Sequence, residues 1–180
     1  MGAESPWRRV LLRLLLAGAA CWSAGAACAA EELPEYRLKA AFVYNFAAFT
    51  EWPAEVGPNL VVCLFGGDPF GAEIDPLQGK KAGDRSLAVQ RRSGIDTLKT
   101  CQVVYIAPSA MGQLPRVLDA LRGLPVLTVA DSPGAMRLGV ALNMSLTQGR
   151  ISFEANLAAA RQAKLNLSSK LLRLASEVAQ

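Results

Sequence analysis

Few residues of this chain could do chemistry. Histidine is absent from all 180 residues, which removes the usual general base, the commonest metal ligand and the base partner of a serine or cysteine nucleophile. Ser168, Ser169 and Lys170 put hydroxyls beside an amine, but adjacent positions on a helix do not face one another. Ser168 reads as a helix cap and Lys170 as a solvated charge. The carboxylates Glu51, Asp68, Asp75, Asp84 and Asp131 fall at element ends or in loops, where Asp and Glu serve turns and caps. Gly66–Gly71, GGDPFG, follows an apolar run but is neither G-x-G-x-x-G nor a Walker loop. Lys80-Lys81 and Arg91-Arg92 could hold an anion, or be solubilising surface. Arg91, Arg92, Arg150 and Asn156 are the candidate ligand contacts. No catalytic constellation and no metal set emerges, so the chain reads as a non-enzyme without a cofactor.

The first thirty residues read as a secretory signal peptide. Arg8, Arg9 and Arg13 form a positive start, Val10–Ala20 is apolar apart from Arg13, and small residues follow to Ala30. The apolar core is shorter than the roughly 20 residues needed to span a bilayer. Cleavage is expected after Ala29 or Ala30. A lipoprotein signal at Cys21 or Cys28 fits poorly, because Gly18 and Gly25 stand where Leu is expected. Residues 31–180 then form one domain, exported and soluble, with room for a core. Removing the signal lowers the net charge from +4 to +2, which gives no argument for nucleic acid.

Cys63 and Cys101 survive cleavage. A cysteine pair in an exported protein, in or beside apolar strands, reads as a disulfide. Closing such a loop stabilises by roughly 4 kcal/mol in the chain-entropy model. The alternative is two reduced, buried thiols. Reduction of the bond would loosen the domain, which makes redox a candidate signal.

The elements that would position these residues follow from periodicity. Tyr36–Pro53 carries apolar residues at Leu38, Ala41, Phe42, Phe46, Phe49 and Trp52, a helical stripe. Pro53 should stop that helix at Trp52. Leu60–Phe65, Leu87–Gln90, Val103–Ala107 and Val126–Ala130 read as strands, with a short helix over Phe70–Leu77. Ser109 offers the N-cap of a helix carrying Leu114, Val117, Leu118 and Leu121, with Gly123 as its stop. Val140–Leu146 and Arg150–Glu154 form a hairpin around Thr147-Gln148-Gly149, with a bulge. Asn156 caps one short helix and Ser168 a last one, whose face is Leu171, Leu174, Ala175 and Val178. The alternation predicts a single α/β domain. Its sheet is mostly parallel with an antiparallel C-terminal hairpin, flanked by helices.

Four stretches together resemble the YfiR-like family of periplasmic proteins. They are KAAFVYNFAAFTEWP at Lys39–Pro53, LFGGDPFG at Leu64–Gly71, CQVVYI at Cys101–Ile106 and the tail from GRISFEAN at Gly149 to SSKLLRLA at Ala175. The likeness runs from Tyr36 to about Ala175. Departures are Ala135 in place of Phe, Gly139–Leu142 in place of a Gly-Gly-Met run, and Ala155 in place of Ile. The resemblance implies a periplasmic regulator of cyclic-di-GMP signalling and biofilm behaviour. Such a protein binds the sensor region of an inner-membrane diguanylate cyclase and represses it. An outer-membrane lipoprotein partner and a homodimer are implied too. Tyr44 and Trp52, aromatics that a sheet would not fully cover, are the interface candidates. The alternative is a periplasmic small-molecule sensor.

Overall fold

The computed structural model describes residues 32–180. The signal-peptide reading, with its cleavage site, lies outside them. Helix α1 (Glu32–Ala48) leads to the two-residue strand β1 (Thr50–Glu51). The parallel heart of the fold is β2 (Asn59–Phe65), β4 (Arg85–Arg92), β5 (Val103–Ile106) and β6 (Leu127–Ala130). Every residue of β5 and β6 is buried, as expected for parallel strands covered on both faces. Strands β7 (Leu142–Thr147) and β8 (Arg150–Asn156) form the antiparallel hairpin. With β3 (Lys81–Ala82) and β10 (Glu177–Ala179) they complete an eight-stranded sheet of order β10-β8-β7-β6-β5-β2-β4-β3.

From β2 the chain crosses to β4 on one side and then returns to β5 on the other. The winding direction therefore reverses at β2. The first crossover carries the 3-10 turn Gly71–Leu77, and Ile74 and Leu77 pack with Val43 and Phe46 of α1 in one core. The second carries the 3-10 turn Ile95–Thr100, and Leu98 packs with helix α2 (Leu114–Leu121) in the other core. Cys63 and Cys101 are bonded in that second core, both about fully buried, at a sequence separation of 38.

Several local expectations change. The first helix ends at Ala48, because Thr50 and Glu51 pair with β9 (Asn166–Leu167) in a separate small sheet. The Thr50 hydroxyl donates to the Phe46 carbonyl at 2.7 Å and helps close the helix. The inward face of α1 is Lys39, Ala40, Val43, Phe46 and Ala47, while Leu38 and Phe49 are exposed. Ser109 does not cap α2. It sits within the 3-10 turn Pro108–Gln113, and its hydroxyl accepts from the Gly67 N–H. Gly66 stands beside it with φ +99°, and a Cβ there would lie 2.8 Å from that of Ala110. Only glycine lets the end of β2 pass that turn. The hairpin loop is two residues, Gln148 (φ 51°) and Gly149 (φ 73°), closed by the Thr147–Arg150 pair without a bulge. Two left-handed residues match the twist of the flanking strands.

The C-terminal helix is also shorter than its pattern. After α3 (Leu157–Gln162), helix α4 spans only Ser169–Leu172. The remaining residues leave it, and Glu177–Ala179 pair in parallel with Glu154–Asn156. Ser168 caps α4 and Asn156 caps α3, each through its side-chain oxygen.

Candidate functional site

The most unusual chemistry lies where β6 ends beneath the first turns of α1. Lys39 is on the buried side of α1 and its ammonium lies 2.6 Å from Asp131 Oδ2. Glu35, one turn earlier, supplies a second carboxylate in contact with the same ammonium. The side chains of Lys39 and Asp131 are only 5% and 1% exposed, so both charges have left water and depend on one another. The Tyr36 ring lies 4.6 Å from the ammonium, and the Tyr36 hydroxyl donates to Asp131 at 3.4 Å. Phe70 stacks edge-on between Tyr36 and Tyr105. Burial opposes the Lys39 charge, but hydrogen bonds to Asp131 and Glu35 outweigh it and hold its pKa above the ordinary lysine value. Burial, then Asp131, pushes both Tyr36 and Tyr105 up. An amine kept protonated is no nucleophile. The arrangement clamps a helix to a sheet.

A polar seam continues from this clamp. The Ser132 N–H donates to Asn143 Oδ1 at 3.2 Å, and Asn143 Nδ2 donates to Glu154 at 3.1 Å. Asn156 Nδ2 donates to the Met136 carbonyl. The loop between β6 and β7 is thus held by two asparagines. Three buried polar atoms at its start, Tyr105 Oη, Asp131 Oδ1 and Ser132 Oγ, have no protein partner.

The candidate ligand residues are not brought together. Arg91 and Arg92 end β4, whereas Arg150 and Asn156 lie on β8, with four strands between. Arg91 is engaged by Asp68 at 2.7 Å, Asp75 at 3.0 Å and the Gly71 carbonyl. Asp68 in turn accepts from Phe70 N–H and Gly71 N–H. Arg91 therefore braces the GGDPFG turn. Arg92 donates to Gln90. Tyr44 and Trp52 are half-buried on the first core. The Tyr44 hydroxyl donates to the Lys81 carbonyl at 2.8 Å, and Lys80 lies 3.9 Å above its ring. Trp52 Nε1 donates to the Ala47 carbonyl.

Two surface clefts accompany the seam. One, of about 210 Å³, is lined by Leu118, Leu121, Leu138 and Gly139 on one side and Ala159 and Ala163 on the other. A second, of about 300 Å³, is lined by Arg137, Glu154 and Glu177. Among the described residues no three His, Cys, Asp or Glu side chains group to hold a metal, and no helix is long and apolar enough to cross a membrane. Sequence reasoning missed Lys39 and the Asn143–Glu154 link. A lysine four residues after a glutamate, at the start of an apolar stretch, was the available signal for the first.

These features define a class: a doubly wound α/β domain with an antiparallel hairpin, whose buried charges clamp elements together. The chain belongs to the YfiR/HmsC-like family, whose model matches residues 36–176. At family level this is a regulatory, non-catalytic family of periplasmic proteins acting in diguanylate cyclase signalling. Among solved structures, the "ABC domain in complex with L-Trp" from Streptococcus pneumonia is similar at TM-score 0.56 and 6% identity, over 79% of this chain and 60% of that one. A conserved domain protein from Vibrio cholerae O1 biovar El Tor matches over the same shares, at TM-score 0.47 and 8% identity. The chain thus spans 60% of the length of both. At such identity the first likeness shows the fold alone.

Proposed function

We propose that this protein, exported by a cleaved signal peptide of residues 1–30, binds the periplasmic sensor region of an inner-membrane diguanylate cyclase. Residues 31–180 are the working domain. Binding holds the cyclase inactive and lowers cyclic-di-GMP, and an outer-membrane lipoprotein can draw the repressor away. The family match over residues 36–176 carries the reading. It is supported by Leu38 in α1 and Phe49 just after its end, 48% and 37% exposed, and by half-buried Tyr44 and Trp52 in the same stretch of chain. Apolar groups left in water beside anchored aromatics are the kind of surface a protein partner covers. The test is reconstitution of a purified cyclase, in membranes, with the mature protein. Saturable inhibition of cyclic-di-GMP synthesis is expected, and unaltered synthesis with no binding would overturn the reading.

A second reading, a small-molecule sensor, draws on the cleft between α2 and α3, where Leu118, Leu121 and Leu138 are joined by the polar Arg122, Thr128 and Gln162. Apolar amino acids should then raise the melting temperature, and Leu138→Arg should abolish that shift.

A further inference from the structure

Charge is unevenly placed along the folded chain. From Ala155 to Ser176 there is no Asp or Glu, yet this stretch carries Arg161, Lys164, Lys170 and Arg173. All four are exposed. None joins an ion pair among the described residues. The fold explains why they face outward together. Ala160, Leu165, Leu167 and Leu171 enter the same core as Ala40, Val43 and Phe46 of α1. The segment α3–β9–α4 therefore lies as one layer on the α1 side of the sheet, with its polar side chains turned to water.

Local geometry keeps the cations on that outer side. Lys170 and Arg173 stand three positions apart at α4, the spacing of neighbours on a helical face. Lys164 follows α3 with a left-handed backbone, φ 56°, which takes it off the inward path of Ala160. The carboxylate of Glu51 meets the layer opposite Asn166, whose amide donates to it at 2.7 Å. Apolar groups accompany the cations. Leu174, 71% exposed, directly follows Arg173. Phe49, 37% exposed, borders the layer, and its carbonyl accepts from the Ser168 N–H. Like charges without counter-charges are stabilised by an anionic surface. Leucine and phenylalanine among them suit one whose interior is apolar, so that cations meet headgroups while the apolar side chains enter the acyl boundary.

We propose that the α3–β9–α4 layer is a peripheral docking face for a bilayer of anionic phospholipid. Arg161, Lys164, Lys170 and Arg173 bind the headgroups, and Leu174 inserts beside them. Phe49 also belongs to the surface proposed for the cyclase, so the two faces share one border. The inference is independent of the cyclase reading, because its test needs only this chain and lipid.

The test is co-sedimentation of residues 31–180 with vesicles, since both cores are built from residues after Glu35. The protein should bind phosphatidylglycerol vesicles at low salt and stay in solution with phosphatidylcholine alone. Added salt should release it, because screening shortens the reach of the charges. Each cation near such a surface contributes about fivefold to partitioning, so Lys170→Gln/Arg173→Gln should weaken binding by about thirtyfold. Adding Arg161→Gln and Lys164→Gln should abolish it. Lys81→Gln/Arg116→Gln removes as much exposed charge elsewhere and should change binding little. A polarity-sensitive fluorophore on Leu174→Cys should shift to the blue with the anionic vesicles only. Circular dichroism and melting temperature check that each variant folds, and the fluorophore serves even if the charge variants do not. Absence of binding to phosphatidylglycerol would overturn the proposal. So would equal losses in the two paired variants, a fluorophore that stays in water on bound protein, or capture of an acidic protein by this face without any lipid binding.

Discussion

Lys39 and Asp131 lie 92 positions apart in the chain and 2.6 Å apart in space. Their contact ties the opening helix to the end of a central strand. Removing one member leaves the other charged and buried, which typically costs 3–5 kcal/mol, or about that here. Lys39→Met and Asp131→Leu should each destabilise strongly in urea unfolding. The double variant should be less destabilised than the sum, because the only charge it leaves without its partner is that of Glu35, which is partly exposed. Single variants within about 0.5 kcal/mol of wild type, the range of an ordinary surface change, would sink the clamp.

The same contact fixes a pH dependence. The pKa of Lys39 is raised in the fold, and those of Tyr36 and Tyr105 are raised too. A group that holds its proton longer folded than unfolded gives stability that is complete below its unfolded pKa. That stability is lost as pH rises through the folded value. All three groups therefore act with one sign. The clamp's contribution should be intact at neutral pH and decline above about pH 10, where free tyrosine and lysine titrate. Melting temperature against pH checks this: Lys39→Met should flatten the alkaline limb, and an unchanged limb would refute the assignment.

The Cys63–Cys101 bond joins residues at a sequence separation of 38. Cys63→Ser/Cys101→Ser should lower stability by about 4 kcal/mol on loop entropy. Labelling of free thiols in the exported protein after denaturation without reductant should find none. If the double variant stays folded and still represses, the bond is structural and redox is not the signal.

For the partner surface, Tyr44→Ala and Trp52→Ala should each weaken cyclase binding, by about 2 kcal/mol or more if they are anchors. Tyr44→Phe separates packing from the hydrogen bond to Lys81, since it keeps the ring under Lys80. Both alanine variants repressing normally while folded would move the interface elsewhere.

The sheet was legible because β5 is a short apolar run and β6 is apolar apart from Thr128, each close to a proline, and the hairpin because Gln148-Gly149 separates two alternating segments. The orientation of α1 was not. Phe42, Phe46 and Phe49 fall on one stripe, but Ala40, Val43 and Ala47 extend the apolar arc well beyond it, so the pattern fits more than one rotation of the helix. The sheet selects Ala40, Val43 and Phe46 and leaves Leu38 and Phe49 outside. The tail from Ser168 has a helical pattern too, yet after Leu172 it yields to the unpaired edge of β8. Local periodicity carries no information about a partner strand twenty residues earlier. Lys39 was hidden for the same reason: nothing near it in sequence announces Asp131.

The bond between Cys63 and Cys101 straddles the strand at which the winding direction reverses. Everything from Leu64 to Thr100, including the lysine-flanked edge β3 and the whole of β4, is enclosed in one covalent ring. A protease that cuts the exposed turn at Gly83-Asp84 therefore releases no fragment. The nicked chain stays a single molecule, and its two new ends remain tethered to neighbouring strands of the sheet they came from. A cut there leaves a gap in the backbone without separating β4 from the domain.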